Sequence, residues 1–251
     1  MSQITFAGVG SAFTTQDYWQ SNMVITTDDK QMLIDCGSDA RFSLGELGIQ
    51  AADPDSIYIS HLHADHIGGL EWLGFSTYFN PNCNRPTMYI VGDLVDDLWR
   101  SLQSGMQSHE GVVLTLDSFF NVKRIAPNGS FNYGGLAFTP VQTVHVMNGF
   151  RIVHSYGLLI EKNGRKTFLT TDTQFCPRQI EKFYKESDLI LQDCETAQYK
   201  SGVHAHYSDL VTLDDEIKAK MWLYHYQPNP HQRPEEDGFA GFIVKGQSFN
   251  L

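Results

Sequence analysis

Ser56-Ile57-Tyr58-Ile59-Ser60-His61-Leu62-His63-Ala64-Asp65-His66-Ile67-Gly68-Gly69 is the stretch on which the reading of this chain turns. Its first five residues form an apolar run that predicts a strand over Ser56–Ser60, ending where His61 begins. A helical pattern is predicted over Gly69–Phe79. Between them, four side chains able to hold a cation fall within six residues. In extended backbone, residues two apart point the same way, so His61 and His63 can grip one ion while the following turn swings Asp65 and His66 toward a second.

Two ions need further ligands, and three candidates stand at the ends of predicted strands. His145 follows Pro140-Val141-Gln142-Thr143-Val144, Asp172 lies in Leu169-Thr170-Thr171-Asp172-Thr173, and His225 closes Trp222-Leu223-Tyr224. Strand ends converging on one sheet edge can bring such distant residues together. A carboxylate can bridge two cations with its two oxygens, which makes Asp172 the expected bridge.

Short β-rich runs come early, at Ile4–Ala7, Asn22–Thr27 and Gln31–Asp35, followed by a helical stretch over Asp39–Ile49. Further helices are predicted at Asp93–Leu102, Pro177–Lys185 and Ser208–Lys218. Strands are predicted at Thr87–Val91, Leu136–Val141, Ile152–Glu161, Thr167–Thr170, Leu189–Gln192 and Met221–Tyr224. Strands alternating with helices after a strand-rich start point to an α/β fold of two sheets packed face to face with helices outside. No internal repeat or Pro/Gly-rich linker marks a boundary, so one domain over 1–251 is expected.

Of the 251 residues, 41% are hydrophobic, which is the composition of a globular protein, and no apolar run approaches the ~18 residues of a membrane span. The start of the chain reads as a strand rather than an export signal, so a cytoplasmic location is expected. Cys36, Cys83, Cys176 and Cys194 stand far apart and read as free buried thiols. Eighteen Lys and Arg against 29 Asp and Glu give a net charge of −11, which repels a long polyanion such as structured RNA. A small phosphate ester stays open, because cations in a site dominate its local field.

Through Leu33-Ile34-Asp35-Cys36-Gly37, the histidine-rich stretch, His145, Asp172 and His225, the chain resembles the metallo-β-lactamase superfamily over nearly its whole length. A narrower resemblance, to the ribonuclease Z-type phosphodiesterases, rests on Gly8-Val9-Gly10-Ser11-Ala12-Phe13, Ser155-Tyr156-Gly157, Gly164-Arg165-Lys166 and Asp193-Cys194-Glu195-Thr196. The resemblance implies a four-layer αββα sandwich with two mixed sheets. It also implies one metal on His61, His63, His145 and Asp172 and a second on Asp65, His66, Asp172 and His225. In tRNA-processing members a long arm commonly separates the third histidine from the bridging aspartate; here His145 and Asp172 are only 27 positions apart. With no arm, the chain is more similar to the phage-encoded anti-Pycsar enzymes and their bacterial relatives, which open cyclic nucleotide monophosphates. That resemblance also implies a homodimer.

The expected activity is hydrolysis of a small phosphodiester, with 3′,5′-cyclic nucleotide monophosphates first among substrates. Two cations, Zn²⁺ by expectation although Mn²⁺ or Fe²⁺ suits the same donors, lower the pKa of a bound water toward neutrality and offset charge on the phosphoryl group. Asp65 is the candidate general base. In Gly202-Val203-His204-Ala205-His206-Tyr207-Ser208, Ser208 suits an N-cap, and His206 is expected as proton donor or phosphate clamp with Glu195 fixing its ring; His204 is the second candidate. Asp35 is expected to order the backbone beside the site. His109, His154 and His231 read as ordinary structural or surface histidines. Alternatives are a tRNA 3′ endonuclease lacking its arm, an ester, lactone or thioester hydrolase on the same metals, and a protein that captures a nucleotide without turning it over.

Overall fold

The structure, a computed structural model, describes residues 2–251. Six strands build the first half of the chain: β1 (Gln3–Phe6), β2 (Met23–Thr26), β3 (Gln31–Ile34), β4 (Ser56–Ile59), β5 (Thr87–Val91) and β6 (Asn121–Ile125). The second half supplies β7 (Phe131–Tyr133), β8 (Leu136–Met147), β9 (Ile152–Lys162), β10 (Arg165–Leu169), β11 (Leu189–Asp193), β12 (Met221–Tyr224) and β13 (Gly241–Phe242). Strand β14 (Ser248–Asn250) returns to pair with β1. The result is two seven-stranded sheets, ordered β14-β1-β2-β3-β4-β5-β6 and β13-β12-β11-β10-β9-β8-β7. Each is mixed: strands consecutive in the chain such as β2–β3 and β9–β10 pair antiparallel, as does β1 with the returning β14, and crossovers supply the parallel pairs, as at β3–β4 and β11–β12.

Period-two alternation explains why the sheets face each other. On β2, Met23 and Ile25 turn inward with Phe6, Ile34 and Tyr58 to meet Phe138, Leu158, Ile160 and Leu191 of the other sheet. Val24 between them turns outward, where Leu33, Ile57, Ile59 and Ile90 pack against helices α1 (Ala40–Glu46), α3 (Leu70–Tyr78), α4 (Val95–Met106) and α5 (Leu116–Phe119). The single turn α2 (Ala64–Ile67) precedes α3 and carries the histidine-rich loop. The outer face of the second sheet is covered by α6 (Pro177–Glu186), α7 (Tyr207–Leu210) and α8 (Asp215–Lys218), through Ile180, Tyr184, Leu210 and Ile217. These are the four layers expected.

The continuous helix expected over Ser208–Lys218 is instead two short turns. Asp214 takes extended backbone (φ −56°, ψ 141°) as the N-cap of α8, and Thr212 turns its hydroxyl back to the carbonyl of Asp209, so the chain bends between them. The strands β6, β7, β13 and β14 lie outside the expected set; they are short, and all four sit at sheet edges. Cys36 and Cys194 are buried free thiols as expected, whereas Cys83 and Cys176 are free but only half-buried. Among the described residues no helix is long and apolar enough to cross a membrane.

Candidate metal centre

Strand β4 ends at Ile59, and the chain then passes through the buried Ser60 and His61 to His63, whose extended backbone (φ −74°, ψ 153°) opens α2. The first turn of α2 carries Asp65 and His66 inward. Gly37 permits this close approach, because a Cβ there would stand 2.1 Å from the carbonyl oxygen of Asp65. From the second sheet, His145 comes from β8 beside a bulge, Asp172 follows the end of β10, and His225 follows β12. All seven predicted ligand residues meet at this edge, in two groups that share Asp172. One holds His61, His63, His145 and Asp172; the other holds Asp65, His66, Asp172 and His225. Within each group the candidate ligand atoms all lie within 4.8 Å of one another.

Asp172 is the hub. Its Oδ2 lies 3.6 Å from Nε2 of both His61 and His145, 3.3 Å from Nε2 of His66 and 3.5 Å from Nε2 of His225. Asp65 Oδ2 stands 3.3 Å from His66 Nε2 and 3.8 Å from His225 Nε2. Hydrogen bonds on the outer nitrogens fix which nitrogen faces inward. His145 Nδ1 donates to the Val203 carbonyl at 2.7 Å. His66 Nδ1 donates to Asp35 Oδ2 at 2.8 Å. Ser60 Oγ donates to the same Asp35 oxygen and so accepts from His61 Nδ1 at 3.0 Å. Ser21 Oγ donates to the Gly10 carbonyl and accepts from His225 Nδ1 at 3.0 Å. Asp35 therefore holds side chains of two ligand candidates, beyond the backbone role expected of it; its other oxygen accepts from the Ser60 backbone N–H at 2.8 Å.

The inward atoms are what a cation requires. Nε2 of His61, His66 and His225 and both carboxylate oxygens of Asp172 are buried without a hydrogen-bond partner. Orphaned polar atoms of this number are costly unless something neutralises them, and a set of imidazole nitrogens around carboxylates fits two divalent ions. Burial pushes the pKa of His61 well below its usual value, with the His66 charge adding, and burial also lowers His63 and brings His145 down to about 4. These three stay neutral and ready to ligate. Burial alone would raise Asp172, but His225, His66 and His61 outweigh it and hold the carboxylate well below the usual range. Asp65 is similarly held at about 2, His66 outweighing burial. For His66 burial is outweighed by Asp172, Asp65 and Asp35, which keep its proton; a cation there would take that proton's place.

The backbone is strained at the same edge. Asp35 (φ 62°), Thr171 (φ 53°) and His225 (φ 66°) all adopt the left-handed conformation, which for a β-branched residue such as Thr171 is rare. Local bonds hold it: Asp35 N–H to Tyr58 O at 2.9 Å, His225 N–H to Val9 O at 2.7 Å, and the Ser155 hydroxyl to Thr171 Oγ1 at 2.8 Å, the Thr171 hydroxyl itself donating to the Thr170 carbonyl at 2.7 Å. Nothing in the sequence pattern signals this strain.

Of the two candidate acids, the structure places His204, and not His206, against the cluster. His206 is the N-cap of α7: its Nδ1 accepts from the Ser208 backbone N–H at 3.2 Å and its Nε2 donates to the Ala197 carbonyl at 2.9 Å. With both nitrogens so engaged it does not face the cluster, and the cap expected of Ser208 belongs to it. Glu195 does not fix that ring; its carboxylate accepts from the Ser201 backbone N–H at 2.9 Å, and only its backbone pairs beside His206. His204 is the histidine that faces inward. Its Nδ1 lies 3.8 Å from Asp172 Oδ2 and donates to Asp193 Oδ2 at 3.0 Å. Burial would depress its pKa, but Asp193, by charge and hydrogen bond, raises it to about 10. Asp193 was not among the expected site residues, although its place in Asp193-Cys194-Glu195-Thr196 at the end of β11 put it on the same sheet edge.

The family profile described as "Anti-Pycsar protein Apyc1" matches residues 2–249. The chain belongs to this family. It is 30% identical over 248 residues to an anti-Pycsar protein Apyc1 of Saccharibacillus brassicae, covering 95% of this chain and 96% of that protein. Among solved structures, the metallo-β-lactamase fold protein YhfI from Bacillus subtilis superposes with a TM-score of 0.75 at 18% identity, covering 100% of both chains. The short form of human tRNase Z superposes with a TM-score of 0.72 at 18% identity, over 99% of this chain and 98% of that one. The fold of this Apyc1-family chain is thus the metallo-β-lactamase fold, and its buried His/Asp cluster fits a binuclear metal site.

Proposed function

We propose that this Apyc1-family chain is a binuclear phosphodiesterase that hydrolyses 3′,5′-cyclic nucleotide monophosphates. The observation that carries the reading is the pair of ligand groups meeting at Asp172, in a chain matched to its family from residue 2 to residue 249. His61, His63, His145 and Asp172 would hold one ion, and Asp65, His66, Asp172 and His225 the other; zinc suits this nitrogen-rich set, with manganese or iron as alternatives. When bound, the ions supply Lewis acidity toward the phosphoryl oxygens and hydroxide at neutral pH.

The chain's own residues do the rest. Asp65, held ionised, can accept the proton of the attacking water. His204, kept protonated by Asp193, is placed to donate a proton to the departing ribose oxygen, which is a poor leaving group without one. Structured RNA is disfavoured as substrate by the net charge of −11 and by the path between His145 and Asp172. That path is the end of β8, a tight turn, β9 and β10, which leaves no room for an arm. A single hydrolase domain and a cytoplasmic location, as expected from the sequence, and a homodimer, by family resemblance, complete the proposal.

The test is a turnover screen of zinc-loaded protein against cyclic mononucleotides, cyclic dinucleotides, precursor tRNA and bis-p-nitrophenyl phosphate at stated salt. Cyclic mononucleotides should exceed precursor tRNA by orders of magnitude. Efficient cutting of precursor tRNA at its 3′ end would overturn the substrate class.

A further inference from the structure

Beside the metal centre, the loop after β4, the segment from Asp93 into α4 and strand β9 line a cavity of about 560 Å³, within the range of roughly 300 to 1,000 Å³ typical of small-molecule sites. The cavity shares His63 with the first ligand group. One wall is strand β9. Its inward face runs from Ile160 and Leu158 in the core to Tyr156 and then to His154 and Ile152, which lie past the covered core and line the opening. Leu62 and Leu94 close the opposite side. The polar side chains divide into two kinds. Arg100 and Arg151 both reach Asp97, Arg151 at 3.5 Å, so that carboxylate is already engaged. Asp93 is exposed on the same lining and has no hydrogen bond or ion pair among the described residues.

We infer that this cavity holds the nucleoside half of the substrate, with Asp93 accepting a hydrogen bond from a nucleoside N–H or O–H and the Tyr156 and His154 rings forming the wall against which it lies. The inference rests on the proposed phosphodiesterase reading, and it adds residues that decide affinity for the non-reacting part of the molecule. Three features support it. The cavity adjoins the centre where the phosphate would sit. Its wall carries two rings two residues apart on one strand, with centroids 6.4 Å apart, flanked by aliphatic side chains that suit a planar heterocycle. Its unpartnered polar groups are the Asp93 carboxylate, an acceptor for a ribose hydroxyl or an amino or imino group of a base, and the buried His154 Nδ1, which can meet a further polar atom of a nucleoside.

Calorimetric titration of the metal-loaded protein with nucleoside 5′- and 3′-monophosphates, against inorganic phosphate as reference, tests the assignment. Native protein should bind at least one nucleoside monophosphate about tenfold or more tighter than phosphate. Asp93→Asn should lose about tenfold of that advantage, since a hydrogen bond to a charged acceptor is being weakened. His154→Ala should lose a smaller part, and His154→Phe, which keeps a ring, should recover it. Melting temperatures of the variants separate loss of binding from loss of fold. A 2′-deoxy series reads the donor: a native preference for the ribonucleotide that vanishes in Asp93→Asn assigns the ribose hydroxyl, and equal loss with both sugars assigns the base. Nucleotides binding no tighter than phosphate, or folded Asp93→Asn and His154→Ala proteins keeping the full advantage, would overturn the inference. The parent reading fails separately, by absence of cyclic nucleotide turnover in a native protein that still binds nucleoside monophosphates.

Discussion

The two ligand groups meet at one carboxylate but are built on opposite principles. The first is rich in nitrogen, with three imidazoles that burial keeps neutral and a single oxygen donor in Asp172. The second has two carboxylates, and they together with Asp35 hold a proton on His66. The first group is therefore ready for a cation as it stands, whereas the second must exchange a proton for one. The difference assigns them different parts: a neutral nitrogen cage suits firm retention of an ion, and the more anionic group, flanked by His204 and Asp193, suits the side where charge and protons move during turnover.

The sharpest way to test that division is at its edge. His204→Ala should lower the rate on cyclic nucleotides by roughly 10² to 10⁴, the span of general acid catalysis, with metal content intact. An activated p-nitrophenyl ester, whose leaving group departs without a proton, should lose much less. Equal losses on both substrates would make His204 a phosphate clamp and remove the proton-moving role from the second group.

Asp35→Asn comes next in size. Its Oδ2 accepts from His66 Nδ1 directly and reaches His61 only through Ser60, so metal affinity should fall by about 10- to 100-fold, more in the second group than in the first. Loss confined to the first group would break the comparison. A smaller signal comes from calorimetry in buffers of different ionisation enthalpy. Filling the second group should release about one proton, while the first should release close to none. The sign follows from His66: its pKa is raised in the folded chain, so affinity there weakens as pH falls below that raised value. The smallest effect is expected of His206→Ala, which removes a helix cap and should cost about 1 kcal/mol of stability while leaving metal content unchanged. Loss of metal in that variant would return His206 to the ligand set.

How much of this was legible in the sequence differs between the same two regions. The strand Ser56–Ile59 and the loop after it could be read locally, because four ligand-type residues share one short turn and their spacing alone separates the two positions. His145, Asp172 and His225 were readable only as strand ends, and the layers followed from alternation such as that of Met23, Val24 and Ile25. The choice between His204 and His206 was not readable. Both precede the same helix, and what separates them is a cap geometry and the carboxylate of Asp193, eleven residues earlier in sequence than His204 and brought near by the end of β11. The same limit hid the left-handed backbone at Asp35, Thr171 and His225, since strain imposed by packing between sheets leaves no mark on residue type. It also hid His154, which reads as an ordinary strand histidine until β9 is seen to run past the covered core.

The central claim is that one carboxylate serves two metal positions. Elemental analysis of native protein, Asp172→Ala and His225→Ala, purified side by side, tests it most directly. The account predicts two ions per native chain, loss of most metal from both positions in Asp172→Ala, and loss chiefly from one in His225→Ala. Two tightly held ions in Asp172→Ala, or none in the native protein, would contradict it.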